Sequence, residues 1–299
     1  MFLKLVSVFR PSYRRIDTLV STQWLADKLH KAGKRQSDLR ILHSSWQSCQ
    51  DHEECRIPGA VCFNGRICRD NQSPYKNTLP PPDLFARYVS TLGISNDTHV
   101  VVYDSNEKYP SIGYAARVWF LFRVFGHDSV SVLNGGLYKW LLENRTTRKG
   151  EQIGKPRQGS FVSRYRPKLV AKFEEIVQNQ SIKMFEVIDA RSETRFKATV
   201  SKDPEVLPGH IKGAVNLPLG NFLHPETKLI LEPNDLEQKF RDVGVELNQF
   251  LVASCGSGIY ACATILAAYR CGVEIPLYDG SWFEFVRRAP ADRVEIGVS

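Results

Sequence analysis

The sequence predicts an α/β protein built as tandem domains, each a mainly parallel sheet flanked by helices. Three observations carry this. The chain has 299 residues, too many for one small domain and suited to two that each bury a core. Short β-rich apolar runs alternate with longer stretches of helical period, such as Ala115 to Phe125 and Ala261 to Tyr269, which is the pattern of a parallel sheet covered by helices. The two halves also echo one another in order, with landmarks roughly 150 residues apart.

From the amino terminus, Met1 to Arg15 carries Lys4, Arg10, Arg14 and Arg15 with Ser7 and Ser12 and no acid. Such a segment is like a weak mitochondrial presequence; the alternative is an N-terminal arm, so localisation reads as mitochondrial or cytoplasmic. Leu19-Val20-Ser21 leads into a capped helix beginning Thr22-Gln23-Trp24. Ile41 to Ser45 is matched by Val187 to Arg191, and Arg56 to Val61 by His210 to Val215. The strand Val100 to Tyr103 is matched by Phe250 to Ser254, and Leu133 to Trp140 by Leu277 to Trp282. The domains are therefore set at 16–145 and 168–291, with a linker at 146–167. From Glu143 to Pro167 the chain turns polar and basic, with Arg145, Arg148, Lys149, Lys155, Arg157, Arg164 and Arg166, and reads as a solvated connector.

Composition excludes several classes. With 42% hydrophobic and 24% charged residues the chain should fold throughout. No apolar run approaches the roughly 20 residues a membrane span needs. The net charge of +8 is dispersed, which suits attraction of small anions better than a nucleic-acid groove. Seven cysteines is an odd number in a chain large enough to need no disulfide staples, so free thiols in a reducing compartment are expected. Cys49, Cys55, Cys62 and Cys68 lack the close pairs of zinc sites and read as structural or redox-sensitive thiols.

The segment Leu251-Val252-Ala253-Ser254-Cys255-Gly256-Ser257-Gly258-Ile259-Tyr260-Ala261 carries the chemistry. It is an apolar strand, a glycine-rich turn and a helix, with Cys255 at the strand's carboxyl end, where open α/β sheets bind ligands. Gly256 and Gly258 let the backbone curl so that N–H groups converge, adding to the helix dipole. Such a nest stabilises a thiolate and equally a persulfide, with no cofactor and no metal required. In the first half the same strand end is Tyr103-Asp104-Ser105. Asp104 stands where the nucleophile would be, so that half is expected to be inactive and to close the cleft.

With these residues the chain resembles the two-domain rhodanese-type sulfurtransferases over nearly its whole length. The matching pieces are Ile57-Pro58-Gly59-Ala60, Arg117-Val118-Trp119, Phe125-Gly126-His127, Leu133-Asn134-Gly135-Gly136-Leu137, Pro208-Gly209-His210-Ile211, the Cys255 loop and Tyr278-Asp279-Gly280-Ser281-Trp282. The resemblance implies tandem rhodanese-like domains of which the second is catalytic. Cys255-Gly256-Ser257-Gly258 is the form of the mercaptopyruvate-type members, which implies 3-mercaptopyruvate, or thiosulfate, as small anionic donor. The acceptor it implies is cyanide or a thiol such as thioredoxin or a small thiol. It implies catalytic roles for Cys255 and Ser257, the latter binding substrate or moving a proton. Substrate contacts are implied for Gly256, Gly258, Ile259, Tyr260 and Arg195, the last gripping a carboxylate. Lys202 is the substitute for a second basic residue. Arg191 with Asp189 and His210 read as structural.

Two departures accompany the match. Asn64 and Asn77 align with an Asp and a His that relatives use as a proton relay, and asparagine cannot exchange a proton near neutral pH. Tyr260 replaces a small threonine. The competing readings are a redox-sensing or binding protein with weakened catalysis, and a Cys-dependent phosphatase. The phosphatase would need an arginine closing the loop where Ala261 stands.

Overall fold

A computed structural model describes residues 17–31, 39–46, 48–105, 112–151, 154, 156–198 and 208–297. Met1 to Arg15, Lys155 and Lys202 lie outside the described residues. The first half runs β1 (Leu19–Val20), α1 (Thr22–Lys31), β2 (Leu39–Ser45), α2 (Gln50–Glu54), β3 (Ala60–Asn64), α3 (Pro82–Thr91), β4 (His99–Asp104), α4 (Gly113–Val124), β5 (Val130–Leu133) and α5 (Gly136–Leu142). The second runs β6 (Val170–Ala171), α6 (Phe173–Ile182), β7 (Glu186–Asp189), α7 (Glu193–Phe196), β8 (His210–Ile211) and β9 (Val215–Asn216). It continues with α8 (Pro233–Arg241), β10 (Leu251–Ser254), α9 (Ala261–Arg270), β11 (Leu277–Tyr278), α10 (Ser281–Arg288) and β12 (Val294–Glu295).

The strand orders are β1-β5-β4-β2-β3 and β6-β11-β10-β7-β9. Every pairing within these two sheets is parallel. Replacing each strand by its echo in the other half converts one order into the other, so the sequence repeat is a repeat of topology. Sheets covered on both faces need continuous apolar strands, and Val100, Val101, Val102 and Tyr103 are all fully buried. The cap expected before α1 is present, with Trp24 N–H donating to Ser21 Oγ at 3.0 Å. Added to the second half is a short antiparallel pair, β8 with β12.

The halves join through α4 and α9, the helices that follow β4 and β10. α4 is buried along almost its whole length, and one apolar cluster takes in Val118, Trp119 and Phe122 with Ala263, Ile265 and Leu266. At its rim Arg123 lies 4.1 Å from the Tyr269 ring centroid and pairs with Glu274 at 2.5 Å. No helix among the described residues is long and apolar enough to cross a membrane.

Two sequence expectations are corrected. The stretch after Glu143 is not a solvated connector throughout, because much of it straps the first domain. Gly159, Arg164 and Arg166 donate N–H groups to Ser90, Phe125 and Val124 at 2.8 Å each, and Phe161 is buried beside Phe85. Its basic charge is partly neutralised by Arg166 gripping both oxygens of Asp128. Charge count hid the one buried aromatic that anchors the strap. Nor are all cysteines free: Cys49 and Cys62 form a disulfide with a Cα separation of 6.0 Å. The chain leaves β2, turns through α2 and returns along the neighbouring β3, which brings together two residues whose spacing alone did not pair them. Cys55, Cys68, Cys255, Cys262 and Cys271 are free.

The core also stores a pH dependence. His43 on β2 is fully buried, and burial holds it down at about 4 although Asp51 lies nearby. Burial likewise lowers His99 to about 4 and lowers His127. These imidazoles resist protonation when folded and accept it readily when unfolded. Their contribution is therefore complete above the ordinary histidine range near 6.5 and is lost as pH falls from there toward 4. Chemical-denaturation midpoints should fall between pH 7 and pH 4.5, His43 alone accounting for on the order of 3 kcal/mol by pH 4. A midpoint that stayed level over that range would contradict the assignment.

Candidate active site

β7 and β10 run side by side with Asp189 opposite Ser254. Two loops therefore leave the same carboxyl edge together, one from Ala190 and one from Cys255, and Ala190 N–H donates to Ser254 O at 2.9 Å. This is the edge at which an open α/β sheet presents its ligand site.

The Cys255 loop is held from outside by its carbonyls. Cys255 N–H donates to Ser281 Oγ at 3.2 Å. The N–H groups of Trp282 and Phe283, opening α10, donate to Cys255 O and Gly256 O at 3.0 Å. Gly258 O accepts from Arg117 Nη1 at 3.3 Å and from the Cys262 thiol at 3.3 Å. By contrast, among the described residues no backbone carbonyl takes up the N–H groups from Gly256 to Ala261. The curl depends on Gly258, whose φ is +79° and where a Cβ would meet Asp279 O at 2.9 Å; only glycine accommodates both. Carbonyls drawn outward and amides left open, at the start of a ten-residue helix, make an environment for negative charge.

Cys255 itself is 1% exposed and joins the main apolar cluster with Ile259 and Ala261. It thus lies at the floor of the loop rather than on an open crevice wall, because it continues a strand buried on both faces. Gly256 and Ser257 are half-buried, and Tyr260 is 40% exposed. A dry surrounding strengthens the interaction of open amides with a charged sulfur. A pocket lies in the first half, lined by Asp104, Asn134, Gly136 and, from the second half, Lys228 and Ile230. Asp104 ends β4 there, and burial pushes its carboxyl well above the usual range.

Arg195 is exposed on α7. Neighbouring Glu193 is taken by Lys197 at 2.6 Å, and among the described residues the Arg195 guanidinium has no ion pair. Arg191 is instead locked to Asp189, with Nη2 2.7 Å from Oδ2. His210 is buried, its ring stacked 3.7 Å from that of Phe196 and its Nδ1 2.9 Å from Phe196 O.

The first domain supplies the loop's surroundings. Asn77 Nδ2 donates to Ser257 Oγ at 3.0 Å, whereas Asn64 turns its Oδ1 back to its own turn, accepting from Arg66 N–H. Of the two asparagines aligned with a relay, only Asn77 reaches the serine. Tyr260 packs on Tyr114, with centroids 6.2 Å apart, and over Gly113, where a Cβ would collide with its ring. Tyr114 in turn stacks on Trp46 at 5.4 Å.

Sequence reasoning passed over Arg117 as a site residue. It is 1% exposed and reaches from α4 to Gly258 O, to Asn77 O at 2.7 Å and to Asp279 Oδ1 at 3.0 Å. Asp279 Oδ2 also accepts from Leu79 N–H at 2.7 Å. The available signal was a charged residue in the middle of a largely apolar helix, which needs a buried partner. Ser281, which supports Cys255, was likewise quoted only as part of a motif.

The family described as Rhodanese-like domain matches residues 21–143 and again 169–288. The chain is 42% identical to the thiosulfate sulfurtransferase of Rattus norvegicus over 94% of its own length and 96% of that protein. It is 39% identical to the 3-mercaptopyruvate sulfurtransferase of the same species, over 92% and 94%. Among solved structures, SseA from Escherichia coli, described among 3-mercaptopyruvate sulfotransferases, superposes with a TM-score of 0.77 at 29% identity. That superposition covers 89% of this chain and 98% of SseA.

Proposed function

Because the chain belongs to the rhodanese-like sulfurtransferase family and is a sulfurtransferase, we propose that it moves sulfane sulfur through a persulfide on Cys255. The donor in this reading is 3-mercaptopyruvate or thiosulfate. The observation that carries it is the strand-end cysteine followed by N–H groups that, among the described residues, no backbone carbonyl takes up.

In the first half-reaction the Cys255 thiolate attacks the donor's sulfur. With thiosulfate the S–S bond breaks and sulfite departs with the electron pair. With 3-mercaptopyruvate the C–S bond breaks, the electron pair goes to the methylene carbon, and that carbon takes up the proton the sulfur carried, giving pyruvate. In the second, a thiol such as thioredoxin or a small thiol, or cyanide, attacks the outer sulfur and regenerates the Cys255 thiolate. Cys255 carries negative sulfur before the first half-reaction, as the thiolate, and after it, as the persulfide, and the amides of Gly256, Gly258, Ile259 and Tyr260 are assigned to stabilise both. Ser257 is assigned a hydrogen bond to the donor. Arg195, exposed on α7 and without an ion pair among the described residues, is assigned the donor's carboxylate or sulfonate.

The test is the mass of the intact protein after exposure to each donor, followed by cyanide or dithiothreitol with thiocyanate or sulfide measured. A gain of one sulfur on the Cys255 peptide, lost on adding acceptor, supports the reading. Folded protein that gains no sulfur from either donor refutes it.

A further inference from the structure

We propose that Asn77 is a positioning residue that fixes Ser257 as a hydrogen-bond donor toward the sulfur donor, rather than as a member of a proton relay. The inference rests on the persulfide reading and deepens it. It is carried by the direction of one amide, set by three bonds. Trp46 Nε1 lies 3.2 Å from Asn77 Oδ1, and an indole N–H can only donate, so the amide oxygen faces it. The amide nitrogen therefore faces Ser257 Oγ at 3.0 Å. Arg117 Nη2 holds the carbonyl of Asn77 at 2.7 Å, and the residue sits in the left-handed region with φ +65°, so backbone and side chain are both held.

A hydroxyl that accepts from Asn77 keeps its own proton for another partner. Asn77 does not draw that proton away, because an amide N–H has no acceptor capacity, and no hydrogen bond from Ser257 Oγ to another group is present among the described residues. Ser257 thus stays neutral and offers its O–H to an oxygen of the donor. As charge moves onto the departing sulfite or enolate oxygen, that bond strengthens, which is the condition for lowering the barrier. Trp46 acts one step further out. It is itself seated on Tyr114 and against Gly65, where a Cβ would collide with its ring.

Charged groups near Asn77 include Arg117, Asp279 and Asp70, and Lys76 precedes it in the chain, its Nζ over the Phe283 ring. Arg117 is committed to Asp279, and Asp70 bears on Asp279. None of these three forms a hydrogen bond to Ser257 among the described residues.

The experiment measures single-turnover sulfur loading of Cys255 in the full chain with 3-mercaptopyruvate and with thiosulfate. Asn77→Gly keeps a residue at ease with positive φ and retains the carbonyl that Arg117 holds, so it removes the amide alone. Its loading should slow roughly ten-fold, with no more than a modest fall in melting temperature from the acceptor that Trp46 Nε1 loses. Asn77→Asp should slow it further, because the carboxylate accepts the Ser257 proton. Its deficit relative to wild type should narrow as pH falls and the acid can donate again. Trp46→Phe, which leaves Asn77 in place but frees the amide to turn, should cost roughly three-fold.

Wild-type loading in both Asn77 variants, or an Asn77→Asp deficit that is constant with pH and equal to that of Asn77→Gly, would overturn the inference while leaving Cys255 as carrier. Wild-type protein that takes up no sulfur would overturn the persulfide reading and this inference with it.

Discussion

Cys255→Ser should abolish sulfur transfer, lowering the rate by at least about 10³-fold while leaving the fold in place. A serine hydroxyl is not ionised near neutral pH, and an O–S bond would not return the sulfur to an acceptor as a persulfide does. The fold should survive because the bonds that place residue 255 run through its backbone, to Ser281 Oγ and from Trp282 N–H, and the new side chain is no larger. Cys262 provides the contrast. It lies on α9, its thiol donates to Gly258 O, and burial pushes it up to about 12, so it stays protonated. Cys262→Ser should therefore retain activity within several-fold. Steady-state thiocyanate production checks both. If Cys255→Ser kept a substantial share of wild-type rate, the sulfur would have to travel by another residue.

Arg117→Ala should produce the largest loss of stability for a single change in the site region, about 3–5 kcal/mol. The guanidinium is the sole charge opposed to Asp279 Oδ1 at 3.0 Å among the described ion pairs; Arg117 is buried and Asp279 is half-buried. Burial already pushes the Asp279 carboxyl up despite that partner, so removing the cation leaves it with the Leu79 N–H but no opposite charge in a largely desolvated site. Activity should fall too, by ten-fold or more as an order of magnitude, because Gly258 O and Asn77 O lose their common donor and the loop loses one of its ties to the first domain. The paired change Arg117→Met with Asp279→Asn should recover much of the stability and little of the activity. Urea denaturation and loading rates measure the two effects. A loss below about 1 kcal/mol for Arg117→Ala would show that the pair does not carry the contact.

Much of the architecture was legible because it is written in periodicity. The apolar run at Val100 to Tyr103 and its echo ending at Ser254 marked the central strands, and the glycines after Cys255 marked a turn that only small residues can make. Ser21 marked the start of α1 by its capping chemistry. Other features left no local trace. Phe161 is one aromatic in a basic stretch, and nothing nearby shows that its ring meets Phe85. The Cys49–Cys62 pair is invisible in spacing because a crossover decides it.

The sequence by itself determined that two copies of one α/β unit follow each other, and that a cysteine in the second stands between a strand and a glycine-rich helix start. Both are local facts of period and residue type. Only the tertiary structure decided how that cysteine is served: its burial at the loop floor, the hold of Arg117 on Gly258 and Asn77, and the hydrogen bond from Asn77 to Ser257. Those contacts join residues far apart in the chain through the packing of α4 on α9, and hydrogen-bond direction depends on distances of a few ångströms that residue order does not encode.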